Sequence, residues 1–312
     1  MRILITGAGG FIGSWLSRTL VAENHEVHGW HHRAPARPIS GEQTTVLDIT
    51  NAKHVSQCIQ ELRPEIIFHL AAQSFPGKSW ENPDATFRVN VGGTFNLLHA
   101  TLDAAISPRI ISVCSSAEYA PGTPGIPIRE DSPLAPSNPY GHSKLIQDNV
   151  SESYGIRLGL DIIRVRPFFL IGPEKSGDVC SDFSRRFIEA ETNHTTSIAV
   201  GNMAITRDFL DIRDGIRALI LLSQRGTSGE VYNICAGRGY RIGDVFDALN
   251  EITHLGLVAT TDPNLLRTVD ELIKVGDPTR LINLGWNPSI PFKQSIRDIL
   301  DYWKTTSHSS SV

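Results

Sequence analysis

Ile3-Leu4-Ile5-Thr6-Gly7-Ala8-Gly9-Gly10-Phe11-Ile12-Gly13 is the stretch on which the reading of this chain turns. Ile3 to Thr6 read as a short buried strand, and apolar residues at Phe11, Ile12, Trp15, Leu16 and Leu20 then recur at helical spacing. Between them stand Gly7, Gly10 and Gly13. Glycines in such a turn let the backbone approach a pyrophosphate. The helix N-terminus faces it with unpaired N–H groups and the positive end of its dipole. The spacing is G-x-x-G-x-x-G, not the G-x-G-x-x-G of the usual dinucleotide fingerprint. The strand–turn–helix context makes it a dinucleotide site rather than a merely tight turn.

Working outward, strand patterns over 2–6, 26–30, 45–47, 65–70, 109–115 and 161–166 alternate with helical patterns over 11–23, 51–61, 84–105 and 139–154. Such alternation predicts an α/β fold, a Rossmann-type doubly wound parallel sheet over residues 1–166, with ligands beyond the carboxyl ends of its strands. After Pro167 the elements shorten, with helices expected over 182–192, 212–222, 242–252 and 292–303. Residues 167–304 read as a smaller, interwoven C-terminal α/β substrate-binding region. The Ser/Thr-rich residues 305–312 read as a disordered tail.

The chain has 312 residues and a net charge of −4, which gives no general case for nucleic acid or an anionic membrane. No apolar run is long enough to span a bilayer, and a strand at residue 2 leaves no room for a signal peptide. Cys58, Cys114, Cys180 and Cys235 lie far apart, so neither a metal site nor a disulfide is expected, and a cytoplasmic location fits.

In an NAD site, a carboxylate at the end of the second strand holds the adenosine ribose. Here that strand runs into Trp30-His31-His32-Arg33, with Arg37 beyond and no carboxylate. A cation at Arg33 suits a 2′-phosphate, so NADP(H) is favoured and NAD(H) is the alternative, as is a merely solvated loop. Asp48-Ile49, after the third strand, suits the adenine pocket. Otherwise Asp48 is an ordinary helix cap.

Tyr140-Gly141-His142-Ser143-Lys144 carries the chemistry. Tyr140 and Lys144 share one face of a helix, and a neighbouring ammonium favours phenolate, so the pair can exchange a proton near neutral pH. Ser115-Ser116, at the end of a strand, offers a hydroxyl to the same reacting carbonyl.

Together with His69-Leu70-Ala71-Ala72, Asn90-Val91-x-Gly93-Thr94 and Ser115-Ser116-x-Glu118, these motifs resemble the extended short-chain dehydrogenase/reductase family, in its order and over nearly the whole chain. The resemblance implies Ser116 as the carbonyl-polarising hydroxyl and Tyr140 as general acid/base. It implies Lys144 on the nicotinamide ribose, depressing the tyrosine pKa. It also implies Leu70, Ala71, Ala72 and Asn90 along the cofactor path, and a homodimer through helices 84–105 and 139–154.

Within the family, residues 64–74, 201–209 and 266–277 are most similar to the nucleotide-sugar enzymes acting on GDP-mannose derivatives, both dehydratases and reductases. That implies a GDP-linked sugar substrate. Arg207 and Arg267 would grip its diphosphate or nucleotide ribose, and Ser74 and Trp80 would lie near the sugar. Trp80 otherwise reads as a buried structural residue. Glu118 stands where a dehydratase keeps its extra acid/base, but the similar reductases keep a glutamate there too, so its presence does not separate the two. The short chain, the compact 29–38 segment and the run from Asp277 to Pro291 resemble the reductases more closely. The expectation is an NAD(P)H-dependent reductase of a nucleotide-linked 4-keto-6-deoxy sugar, yielding GDP-D-rhamnose or its talose epimer. The alternatives are a GDP-mannose 4,6-dehydratase, another nucleotide-sugar epimerase or dehydratase, and, remotely, a non-catalytic cofactor sensor. Two positions depart from the family: Phe169 replaces a substrate-side Asn, and Tyr119 is followed by Ala120 rather than Gly.

Overall fold

Six strands follow one another along the first half of the chain: β1 (Arg2–Thr6), β2 (Glu26–His31), β3 (Glu42–Val46), β4 (Ile66–His69), β5 (Arg109–Val113) and β6 (Ile162–Pro167). The computed structural model describes residues 1–266 and 271–309. After β6 the chain leaves the sheet through β7 (Phe169–Ile171), β8 (Ser197–Val200) and β9 (Thr206–Asp211), then returns with β10 (Val231–Ile234). The sheet order is β3-β2-β1-β4-β5-β6-β10, and every pairing is parallel. β4 and β6 are buried at every position, as a strand covered on both faces must be, while the polar edge strand β3 is largely exposed. The order reverses between β1 and β4. The crevice there, at the carboxyl ends of the strands, is the expected ligand site.

Strands β11 (Gly239–Arg241), β12 (Val258–Thr261) and β13 (Ile273–Lys274) belong to the second region. There β7, β11 and β13 all pair with β9, and β12 pairs with β8. Helices Val179–Asn193, Ile242–Thr253 and Phe292–Ser309 close a separate core around Phe187, Phe246, Leu249, Ile296 and Leu300.

Three sequence expectations need correction. The large sheet is not confined to residues 1–166, because β10 and the apolar face of helix Ile212–Arg225 complete it. The helix expected over 84–105 is broken into Pro83–Phe87, a wide π-turn over Arg88–Gly92, and Gly93–Asp103. The last helix continues to Ser309, through much of the segment read as a tail. Its hydroxyls bond inward, Thr305 Oγ1 to the Asp301 carbonyl and Thr306 Oγ1 to that of Tyr302.

Candidate active site

The glycine turn is forced by contact as well as by conformation. Gly7 sits at φ +72°, and a Cβ there would lie 2.8 Å from the Ala71 amide nitrogen. A Cβ on Gly13 would collide with the Gly7 carbonyl, so the helix packs closely on the strand. The Gly7 and Ala8 N–H groups both bond the Trp30 carbonyl, at 2.9 and 3.1 Å. Helix Phe11–Ala22 opens on Gly10, which has no side chain to cap it, and its first turn holds no acidic residue. An anion is the natural partner for that end. The cradle therefore fits a nicotinamide dinucleotide's pyrophosphate, with Phe11 and Ile12 half-buried beside it.

Beneath the cradle runs a neutral hydrogen-bond chain. Thr6 Oγ1 accepts from the Leu70 and Ala71 amides and gives its proton to His69 Nδ1 at 2.8 Å. His69 Nε2 donates to Thr94 Oγ1 at 2.9 Å, and Thr94 donates to the Asn90 carbonyl. This sequence of donors sets the His69 tautomer. Burial, with the nearby Lys144 charge, pushes His69 down to about 3, so it stays neutral. Asn90 is fully buried in the π-turn. Its Oδ1 accepts the Gln73 N–H at 2.7 Å, and its Nδ2 donates to the Gln73 carbonyl and to Ser143 Oγ. Asn90 thus ties the loop after β4 to the helix Pro139–Leu158, which carries Tyr140.

That helix opens with Pro139, and its Asn138 cap accepts the Gly141 N–H at 2.9 Å. The Tyr140 N–H donates to Ser79 Oγ at 3.1 Å. The Tyr140 hydroxyl meets the Ser115 side chain, one residue before the expected Ser116. Ser116 is buried alongside, opening the short helical turn Ser116–Glu118. Burial raises the Tyr140 phenol to about 12, and the Ser115 hydroxyl, as a donor to the phenolate oxygen, pulls the other way. Lys144 is 3% exposed, and its ammonium donates to the Val113 carbonyl at 2.9 Å and to Gln147 Oε1 at 2.8 Å. Its own pKa is lowered by burial. The expected depression of the tyrosine pKa by Lys144 is therefore corrected: burial dominates.

Glu118 requires a second correction. Its side chain is fully buried beneath the serine turn. Oε1 accepts the Ser115 N–H at 2.7 Å, and Oε2 lies 3.1 Å from Arg166 Nε. Arg166 also donates to Asp148 at 2.8 Å and to the Tyr119 hydroxyl, while Arg164 takes the other oxygen of Asp148. Burial, and then the adjacent Asp148 charge, raise the Glu118 pKa well above the carboxylate range. Cys114, Glu118 and Asp148 bring their ligand-type atoms within 4.8 Å of one another, and an arginine already answers the two carboxylates. Tyr119, which precedes the departing Ala120, is buried here and donates to Asn233 Oδ1.

On the cofactor side, Arg33 is exposed in the loop after β2. Asp48 is exposed and folded onto Thr50, accepting its N–H at 2.9 Å, which lowers its pKa. Asn51, not Asp48, caps the next helix. Ile49 is buried against Gly93. Leu70, Ala71 and Ala72 are half-buried at the strand end. On the substrate side, Ser74 is exposed, and Trp80 is 66% exposed instead of structural. The Arg207 guanidinium lies 5.2 Å over the Phe169 ring, and its Nη1 donates to the Thr206 and Glu271 carbonyls. Phe169, Phe209, Phe292 and Tyr240 continue as an aromatic ladder. Arg267 lies outside the described residues.

A dinucleotide cradle at the switch point of a parallel sheet, facing a buried serine–tyrosine pair, defines a nicotinamide-nucleotide-dependent enzyme of the Rossmann type. The chain belongs to the NAD dependent epimerase/dehydratase family, whose model matches residues 3–235. It is 30% identical over 308 residues to the GDP-6-deoxy-D-mannose reductase of Pseudomonas aeruginosa, covering 97% of each chain. The solved structure of RMD from Pseudomonas aeruginosa complexed with NADPH is similar at a TM-score of 0.85 and 29% identity, over 98% of this chain and 100% of that one. A Thermus thermophilus UDP-glucose 4-epimerase in complex with NAD is similar at a TM-score of 0.88 and 26% identity, over 97% and 99%. Among the described residues no helix is long and apolar enough to cross a membrane.

Proposed function

We propose that this protein reduces the 4-keto group of a 4-keto-6-deoxy sugar carried on guanosine diphosphate, yielding GDP-D-rhamnose or its talose epimer, with NADPH as the preferred donor. Bound nicotinamide supplies the hydride that C4 receives. Ser115 and Ser116 hydrogen-bond the carbonyl oxygen. Tyr140 gives that oxygen its proton as the alkoxide forms and is reprotonated from solvent. Lys144, held by the Val113 carbonyl and Gln147, serves in this reading to hydrogen-bond the nicotinamide ribose. Arg207 takes the diphosphate with its planar donor fork. We read the protein as a cytoplasmic homodimer, consistent with free cysteines and with exposed Phe95 and Ile146 on helices Gly93–Asp103 and Pro139–Leu158.

The observation that carries the reductase reading is the burial of Glu118. A dehydratase needs a third acid/base free to reach the sugar, and this buried carboxyl is engaged with Ser115 and Arg166. The similarity to a GDP-6-deoxy-D-mannose reductase supports the guanine-linked substrate. The test is mass spectrometry of products. A gain of two hydrogens on GDP-4-keto-6-deoxy-mannose, with NADPH consumed, is expected. Loss of water from GDP-mannose without net NADPH use would make it a dehydratase. No reaction with either sugar would overturn the guanine assignment first.

A further inference from the structure

Two acids and an arginine lie buried between the serine turn and the helix that carries Tyr140, and the chemistry above uses none of them. Arg166, on β6, spans both acids. Its Nε lies 2.8 Å from Asp148 Oδ2 and 3.1 Å from Glu118 Oε2. Asp148 belongs to helix Pro139–Leu158, where Tyr140, Lys144 and Asp148 recur at every fourth position on the buried side. Glu118 belongs to the serine turn, where its Oε1 accepts the Ser115 N–H at 2.7 Å. Ser115 Oγ accepts the Ala117 N–H at 3.1 Å and meets the Tyr140 hydroxyl. The path from Tyr140 through Ser115, Glu118 and Arg166 to Asp148 therefore leaves the catalytic helix and returns to it.

We propose that Glu118, clamped through Arg166 to Asp148, is a positioning residue that holds the Ser115 hydroxyl in register with the Tyr140 phenol. This rests on the reading of that serine and tyrosine as the pair that meets the carbonyl. Lys144, Gln147 and Ser151 fasten the helix to Ser112 and Val113, before the serine turn begins. The turn itself is a capping box between Ser115 and Glu118. Elsewhere a glutamate in that role mostly stands in water. Here its second oxygen meets a guanidinium that also donates to the Tyr119 hydroxyl at 3.0 Å and the Glu130 carbonyl at 3.1 Å. Bonds of this kind, charge-assisted and buried, hold their geometry firmly. The turn also touches the helix directly, since a Cβ on Gly141 would lie 2.5 Å from the Ala117 carbonyl. Two hydroxyls converging on one oxygen need that precision, because a misplacement of about 1 Å costs about a hundredfold in rate.

Steady-state kinetics on GDP-4-keto-6-deoxy-mannose, with amide hydrogen exchange beside it, tests this. Glu118→Ala should lower kcat about thirtyfold, with the sugar KM and cofactor affinity within about threefold of wild type. Glu118→Gln keeps an oxygen for the Ser115 N–H and should restore kcat to within about threefold. In a Ser115→Ala background, Glu118→Ala should cost less than about threefold more, since its effect passes through the serine hydroxyl. Arg166→Lys keeps a charge but cannot span both acids, and should lower kcat about tenfold. Glu118→Leu repeats the test at closer volume if the alanine variant fails to fold. A kcat within about threefold of wild type in a folded Glu118→Ala, Glu118→Leu or Arg166→Lys protein overturns the inference. So do additive losses in the double variant. A wild-type protein that turns over no keto sugar overturns the reductase reading alone, and exchange then decides. The Ser115 amide should exchange about tenfold or more faster in Glu118→Ala and as in wild type in Glu118→Gln, with β1 amides unchanged. Equal protection of Ser115 in all three proteins overturns the inference.

Discussion

The two walls of the proposed cleft, one assigned to the cofactor and one to the substrate, are held by different chemistry. On the first, Thr6, His69, Thr94, Asn90 and Ser143 pass neutral hydrogen bonds from β1 to the catalytic helix. On the second, Arg207 lies over Phe169, and aromatic rings carry the packing back to Phe292 and Tyr240. The neutral wall orders the backbone without placing a charge beside the reacting carbonyl. The cation–aromatic wall offers charge to a charged ligand, and its geometry depends on side-chain stacking more than on backbone. Substitutions on the first wall should act on stability or on the chemical step. Those on the second should act on substrate affinity.

Tyr140→Phe gives the largest expected effect and the sharpest separation: turnover should fall about a thousandfold, with cofactor affinity within about twofold of wild type. Kinetics beside cofactor titration would check both. The pH dependence follows from the same group. With the phenol held at about 12, the proton donor is present throughout the neutral range, so the reduction rate should stay level through about pH 10. The reverse oxidation needs the phenolate and should rise about tenfold per pH unit. A falling reduction limb between pH 7 and 9 would contradict the burial argument.

Arg207→Leu should raise the KM for the nucleotide sugar about ten- to a hundredfold and change kcat little. An equal loss in kcat would break the division between the walls. Asn90→Ala leaves the Gln73 amide and carbonyl and Ser143 without their partner. It should cost about 2 kcal/mol, a Tm about 5 °C lower by thermal denaturation. Glu118→Gln should be mildest. The carboxyl is already disposed to keep its proton and its Oε1 only accepts from Ser115, so reductase activity should stay within about threefold of wild type. A loss above about a hundredfold, with the fold intact by circular dichroism, would return Glu118 to the chemistry.

The first wall was much the more legible. Gly7, Gly10 and Gly13 must be glycine because strand, turn and helix approach within contact, and such local constraints leave a pattern in consecutive residues. Tyr140 and Lys144 share a helix face by spacing alone. Ser115 was harder to find, since both serines of the pair fit the motif and the turn into Ser116–Glu118 selects which meets the tyrosine. His69, Ser79 and Gln73 gave no signal beyond their motifs, because their roles exist only where separate segments meet.

The sequence by itself determined the parallel α/β class, the glycine cradle and the tyrosine–lysine helix, since each depends on short-range periodicity and on backbone limits of single residues. Only the tertiary structure decided that Glu118 turns inward to Arg166, that β10 returns to complete the first sheet, and that Glu42 reaches His31 across two strands. The physical reason is that burial and charge compensation are properties of neighbours in space. A carboxylate's role depends on which cation and which N–H groups the fold brings to it, and those partners lie tens of residues away along the chain.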